Sequence, residues 1–388
     1  MKKRNVWLLG LVSLINDTSS KLIEPLLPLF IVSLGGGGTA LGLISGVSDS
    51  VAALFEMLSG YWSDKIKKQK VFVTGGYLTS AISKLGLAFS TGWGYILGLK
   101  SIERIGKGIR AAPRDALLAS STKKSVRGRY FGIHRAFDSG GSVLGSILAL
   151  ILFWGLGLNF ETLFIVAGLL GIFSITPLFF VKEKKATTTK KIFKLKWHGV
   201  DKRLKWFFVT SGLFSLANFS YMFFVLKVQD FLTGSLFIAG PLMLYILYQI
   251  SYTAFSVPAG ILSDKLGRKN MLIIGYALFV LVCIGFMFLN NLILSIVLFI
   301  LYGIMYAFVN ATERAYVSDL SSEKMRGTAL GTYYLFTSLA LLPGGVISGL
   351  LWNLNKTYTF LFGAGVALIT LILFTVVSRK NFRAKKDL

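Results

Sequence analysis

The decapeptide GILSDKLGRK, Gly260 to Lys269, lies between two apolar runs and returns in altered form as Gly60-Tyr-Trp-Ser-Asp64-Lys65-Ile-Lys-Lys-Gln-Lys70. The copies stand about 200 residues apart, and the same offset recurs on either side of them. Ser13-Leu14-Ile15-Asn16 is echoed by Ser215-Leu216-Ala217-Asn218, and Arg127-Gly128 by Arg326-Gly327. A repeat this long, made of apolar runs in the same order, predicts two structural units of equal topology with a path between them and a site near mid-depth.

Working outward, the composition fits that reading. The 388 residues are 54% hydrophobic and 15% charged, with a mean hydropathy of +0.67, too apolar for a soluble globular chain. Apolar stretches of about 20 residues each suffice to cross a hydrocarbon core of about 30 Å. They cover 6–34, 40–62, 71–91, 93–121, 128–154 and 158–181, then 204–231, 237–263, 270–290, 292–320, 327–353 and 357–378. These runs are continuous, whereas a β-barrel would show short alternating segments. Met1 to Arg4 followed by Val6 to Ile15 imitates a signal peptide but has no small-residue cleavage site, so it reads as an uncleaved first helix.

The net charge of +25 would suggest nucleic acid in a soluble protein, but here the charge is concentrated in particular loops, and no nucleic-acid partner is expected. Basic loops (Lys65–Lys70, Lys123–Arg129, Lys182–Lys205, Lys265–Lys269, Glu323–Arg326, Arg379–Lys386) alternate with nearly uncharged ones (Leu34–Gly42, Ser90–Gly94, Leu289–Leu292). Positive loops stay cytoplasmic, so both termini are expected there, in a multi-pass protein of the inner (cytoplasmic) membrane. The predicted organisation is a six-helix bundle over 1–181, a basic cytoplasmic linker over 182–203 and a second six-helix bundle with a short basic tail over 204–388. The linker reads as solvated, with contact to anionic membrane lipid as an addition.

The Gly260–Lys269 loop is similar to the G-x-x-x-D-K-x-G-R-K loop of the major facilitator superfamily, and the twelve-span duplication extends the resemblance over nearly the whole chain. The fold it implies is an all-α polytopic membrane protein with twelve transmembrane helices in two six-helix bundles. Arg104-Ile-Gly-Lys-Gly108-Ile-Arg-Ala-Ala112 resembles the family's helix-4 motif R-x-x-Q-G-x-G-x-A, with Lys107 in place of Gln and Arg110 in place of the second Gly. That resemblance implies a part for Arg104 in substrate or proton coupling. Gly132, Gly141 and Gly145 fit the start of the family's antiporter motif, but Ser146 stands where its Pro is required, so the direction of transport stays open.

The stretch Glu103–Ala119, ERIGKGIRAAPRDALLA, is the most charged of any predicted span. A charge near mid-bilayer costs several kcal/mol, so such a run must face water, protein or substrate. Gly106 and Gly108 suggest close helix contact, and Pro113 a bend. Arg104 and Lys107 share a helical face and are the expected anion-binding pair. Asn16, Asp17 and Asp138 complete the expected binding set, with Asp17 or Asp138 as counter-ion to Arg104. Asp17, Glu24, Asp49, Asp138 and Glu103 are the proton-coupling candidates, Glu24 doubling as an outer gate. An alternative for helix 1 is an internal Asp17–Lys21–Glu24 ion-pair set. Asp49 is expected to pair with a lysine, either Lys84 or Lys100. His134 and Asp138, four apart, suit a proton relay or ordinary packing. Asp64, Arg110, Arg114, Asp115, Asp264 and Arg268 are the expected gate and mouth residues, with snorkelling to the interface as the alternative for Arg110 and Arg114.

No P-loop is present, and two histidines with one cysteine offer no zinc cluster, so no enzyme chemistry, metal or cofactor is expected. The expected function is a monomeric, proton-coupled secondary transporter of a small anionic solute. Its alternatives are a proton antiporter exporting cationic drugs and a non-transporting scaffold or scramblase.

Overall fold

The computed structural model describes residues 3–66, 68–122, 127–183, 201–321 and 326–383, which form helices joined by short turns. Most of the linker (184–200) and the loop at 123–126 lie outside the described residues, as do the loop at 322–325, the end of the basic tail (384–388) and the Asp64 side chain. The helices are α1 (Lys3–Ile23), α2 (Leu27–Ser33), α3 (Gly38–Ile66), α4 (Gln69–Leu87), α5 (Trp93–Ser120), α6 (Arg127–Leu150), α7 (Phe160–Phe173), α8 (Thr176–Phe179), α9 (Lys202–Ala217), α10 (Tyr221–Lys227), α11 (Leu236–Leu266), α12 (Arg268–Met287), α13 (Leu292–Leu320), α14 (Arg326–Leu354) and α15 (Lys356–Arg383).

Three of the apolar runs are broken where the sequence supplies a breaker. Pro25 lies in the turn that separates α1 from α2, Pro28 stands in the first turn of α2, Pro177 opens α8, and Asn218 to Ser220 interrupts the run between α9 and α10. Proline does not always win: α5 continues through the buried Pro113 for 28 residues.

Among the described residues, nine helical segments are long and apolar enough to cross a membrane, and α1, α4 and α5 are not among them. The reason is composition. These three helices carry Asp17, Lys21, Lys84, Lys100, Glu103, Arg104, Lys107, Arg110 and Arg114. At about 3 kcal/mol per central charge, even Glu103, Arg104 and Lys107 alone outweigh the roughly 0.5 kcal/mol that each leucine returns. Such helices are stable in a bilayer only when their charges pair within the protein.

The described residues pack into two compact units. The first takes those in Met1–Ala40, Val47–Lys190 and Ser235–Ile246, and the second those in Leu41–Gly46, Lys191–Gly234 and Leu247–Leu388. In the first unit α4 packs along α5 and α7, and α1 along α6 and α7. One core there joins Val6, Leu9 and Val12 of α1 to Val73 and Tyr77 of α4 and Leu117 and Leu118 of α5. In the second unit α12 packs on α13 and α15, and α9 on α14 and α15. Its interior is aromatic: Phe219, Phe224, Phe286, Tyr302 and Phe360 make a chain of ring contacts with centroids 4.5–5.8 Å apart. Large apolar side chains such as Leu169, Val257, Leu281, Ile293, Leu339 and Ile369 are exposed, as suits helices whose solvent is lipid.

Candidate functional site

The ionisable residues of the first unit converge because glycine lets α5 approach its neighbours. A Cβ built on Gly76 of α4 would lie 2.5 Å from the Gly106 carbonyl oxygen, and one on Gly106 would lie 2.6 Å from that of Gly76. Two residues further on, a Cβ on Gly108 would lie 2.8 Å from Phe55 Cβ of α3, and Ser59 Oγ donates to the Gly108 carbonyl at 3.0 Å. The two glycines that the sequence marks for close contact therefore face different helices, and α5 is held between α3 and α4.

That placement buries Arg110, which is 6% exposed. Its Nη1 donates to Ser80 Oγ at 2.7 Å and its guanidinium lies over the Tyr77 ring at 4.5 Å. Expected at a gate or mouth, or snorkelling to an interface, Arg110 is instead enclosed where the glycine contact leaves room between α4 and α5. Ser80 in turn donates to the Glu103 carbonyl at 3.0 Å, and the Glu103 carboxylate pairs with Lys100 in a buried ion pair.

Arg104 lies 3.5 Å from Glu24 and 3.9 Å from Asp49. The expected counter-ions Asp17 and Asp138 are not its partners. Glu24 stands just past the end of α1, seven residues beyond Asp17 and about 10 Å along the axis at 1.5 Å per residue, so an arginine level with Glu24 is out of reach of Asp17. Asp49 pairs with this arginine and with neither expected lysine, since Lys100 is committed to Glu103 and Lys84 points into α1. Glu24 is also bound by Lys21 at 2.5 Å and accepts a hydrogen bond from Tyr245 at 3.0 Å, from the part of α11 that groups with this unit. The helix-1 set thus forms between Lys21 and Glu24 without Asp17, whose carboxylate accepts from Asn16 Nδ2 at 3.2 Å.

Lys84 is completely buried. Its Nζ donates to Ser19 Oγ at 2.9 Å and reaches Asn16 Oδ1 at 3.5 Å. Lys107 is the contrasting case: its side chain is exposed and makes no ion pair or hydrogen bond among the described residues.

A separate group lies towards the C-terminal end of α5. Arg114 pairs with Asp115 at 3.2 Å and donates to Ser13 Oγ at 3.3 Å, and Ser13 Oγ is 3.0 Å from His134 Nε2. His134 Nδ1 lies 3.6 Å from Asp138, which also meets Arg135 at 3.7 Å. The His134–Asp138 pair anticipated from spacing is present, joined through Ser13 to Arg114.

In the second unit Arg268 bridges Asp264 at 2.5 Å and Asp319 at 3.1 Å, and donates to Ser263 Oγ at 2.7 Å. The repeated loop is therefore closed by its own arginine onto the end of α13. Gly267 adopts φ 84°, a conformation that favours glycine. Asp319 was not foreseen, nor were Tyr245 and Tyr276; Tyr276 donates to Glu313 at 2.9 Å, beside Tyr333 at 2.6 Å. Glu313 carried a sequence signal, an acid inside a long apolar run. Tyr245 and Tyr276 carried none. Among the described residues no group of three or more His, Cys, Asp or Glu could hold a metal ion.

The sequence profile of the Major Facilitator Superfamily matches residues 9–247 and 242–387. The chain is also 45% identical, over 96% of its length and 94% of the relative's, to an uncharacterized MFS-type transporter of Methanocaldococcus jannaschii. The chain belongs to the major facilitator superfamily. Within it, a multi-drug resistance efflux pump PmrA homolog of Lactococcus lactis is 21% identical, covering 100% of this chain and 97% of its own. Among solved structures, the nucleoside transporter NupG aligns with a TM-score of 0.81 at 17% identity, over 97% of this chain and 99% of NupG. The POT family transporter PepTSo aligns with a TM-score of 0.81 at 12% identity, over 98% of each chain. At these identities the two structures speak for the fold alone: this is a multi-pass helical membrane protein of the superfamily.

Proposed function

We propose that the protein is a secondary active transporter that moves a small anionic solute across the cytoplasmic membrane by alternating access, coupled to protons. The moving bodies would be the bundles 1–181 and 204–388, with both termini cytoplasmic. The observation that carries the anion reading is Lys107. It lies one helical turn from Arg104, on the same face of α5, and is exposed with no carboxylate within 4 Å among the described residues. Arg104 adds a planar guanidinium suited to carboxylate or phosphate. In this reading Asp17, Asn16 and Asp138 line the approach, and Glu24, Asp49 and Glu103 hold the cations in place.

A second reading, export of cationic or amphipathic drugs, is favoured by the distant efflux-pump relative and by Asp49, whose side chain is 45% exposed. Thermal stabilisation of the purified protein separates the two. Citrate and inorganic phosphate are expected to raise the unfolding midpoint, and tetraphenylphosphonium and ethidium are not. Lys107→Gln should weaken the anion effect about tenfold or more in concentration, as loss of a charge-assisted contact implies. Stabilisation by the cations alone, unchanged in Arg104→Ala, would overturn the anion reading. Flux in liposomes under an imposed pH gradient then tests proton coupling, and a protein that carries neither class belongs to the scaffold or scramblase alternative.

A further inference from the structure

Four carboxylates are buried among the described residues: Glu24, Glu103, Asp138 and Glu313. Three lie within 4 Å of a basic nitrogen: Glu24 of Lys21 and Arg104, Glu103 of Lys100, and Asp138 of His134 and Arg135. Glu313 differs. It is 5% exposed, and among the described residues no lysine, arginine or histidine nitrogen comes within 4 Å of it. Its Oε1 accepts from Tyr276 of α12 at 2.9 Å and its Oε2 from Tyr333 of α14 at 2.6 Å.

The surroundings keep it so. Arg314, next in sequence, directs its Nε to the Asn310 carbonyl at 3.0 Å. From α9, Phe214 stacks on Tyr276 at 4.3 Å and Phe207 lies parallel to Tyr333 at 6.3 Å, and from α15 Phe374 meets Tyr276 edge-on at 5.8 Å. At the start of α9, Arg203 pairs with Asp201 at 2.7 Å. Tyr276, Tyr333 and Arg314 are thus the ionisable groups that face this carboxylate, and phenyl rings wall the two tyrosines.

We propose that Glu313, held by Tyr276 and Tyr333, is a proton-binding site of the second unit and the carrier of the coupled proton, an inference that rests on the proton-coupled reading above. An ionised carboxylate in an apolar bundle is costly without a counter-cation, and hydroxyl donors offset only part of that cost. Protonating Glu24 or Glu103 would strand a cation that each now neutralises, and Asp138 has the exposed Arg135 beside it. Protonating Glu313 strands nothing. The proton adds to Oε2, and the Tyr333 hydroxyl turns from donor to acceptor while Tyr276 goes on donating to Oε1. The α13–α14 contact is rewired and the α13–α12 contact is kept, so the protonation state is passed to one helix and not the other.

Infrared difference spectra of the protein in lipid, taken between about pH 5 and about pH 9 without any solute, test this directly. The expected wild-type spectrum contains a protonated-carboxyl C=O band that shifts in D2O. Glu313→Gln should abolish the band while keeping an amide oxygen for the tyrosines. Tyr333→Phe, which retains the carboxyl, should move its frequency, and it guards against a Glu313→Gln protein that fails to fold. A band unchanged in both variants, or no titrating band at all, overturns the proposal. Because no solute is involved, loss of the band alongside a failed anion panel would leave the proton site standing and sink only the anion reading.

Discussion

Removing Arg104 and removing Glu24 should have unequal consequences, and the inequality decides whether Arg104 is a binding residue or a strut. Glu24 lies 2.5 Å from Lys21 and 3.5 Å from Arg104, and also accepts from Tyr245. With an effective dielectric of about 20, these two ion pairs amount to roughly 7 and roughly 5 kcal/mol before desolvation is subtracted. Arg104→Ala therefore leaves Glu24 with its nearer cation and its hydroxyl donor, and a net loss of about 1–2 kcal/mol is expected. Glu24→Ala removes the shared anion from two cations at once. Asp49, at 3.9 Å from Arg104 and half exposed, compensates little, so about 3–5 kcal/mol is expected, as when a buried pair is broken. Thermal unfolding in detergent, followed by intrinsic tryptophan fluorescence, ranks the two variants. Arg104→Ala should melt close to wild type and lose its response to citrate and phosphate. Should it melt as low as Glu24→Ala, or keep the full anion response, the assignment of Arg104 to solute is refuted.

Three further outcomes follow from packing. Gly106→Val should cost about 3 kcal/mol or more, because its side chain would be driven into the Gly76 carbonyl, whereas Gly98→Ala on the same helix meets nothing within 4 Å and should gain up to about 1 kcal/mol; detergent melting curves compare them. Gly267→Ala should lose about 1–3 kcal/mol, since φ 84° with ψ 141° is open to little but glycine, and the same melting assay reads it. Lys84→Met should stay within about 1 kcal/mol of wild type despite the complete burial of Lys84, because Ser19 keeps its bond to the Ala167 carbonyl and no carboxylate within 4 Å is orphaned. A large loss there would mean that the ammonium is a structural partner of α1.

What was legible in the sequence is what bilayer thickness and loop charge dictate. The run predicted over 292–320 and α13 coincide end to end, and the repeated Arg-Gly pairs open α6 and α14. Both glycines of ERIGKGIRAAPRDALLA mark real contacts, because nothing else lets helices approach so closely. The partners of the charges were less legible. Spacing along one helix found Lys21 with Glu24 and His134 with Asp138, which are neighbours three and four apart. It could not place Arg104, whose partner depends on the relative depth of two helices, and a depth error of two turns exchanges Asp17 for Glu24. Tyr245, 221 positions from Glu24, leaves no trace in a single sequence.

The pairing pattern also explains why the charge sits where it does. Lys100 pairs with Glu103, Lys21 with Glu24, and Arg104 with Glu24 and Asp49, so these three cations have carboxylate partners within the unit. Lys107 is not balanced by an ion pair among the described residues, and it is the exposed member of the series. An anion received there would give Lys107 a counter-charge, and the loaded unit would carry less net charge than the empty one. Moving a net charge through a low-dielectric interior is what a transport cycle most needs to avoid. With a titratable carboxylate at Glu313, empty and loaded forms could each approach neutrality. That requirement predicts that Lys107→Gln and Glu313→Gln affect separate measurements, the first the anion response and the second the carboxyl band, with neither variant altering the other's signal.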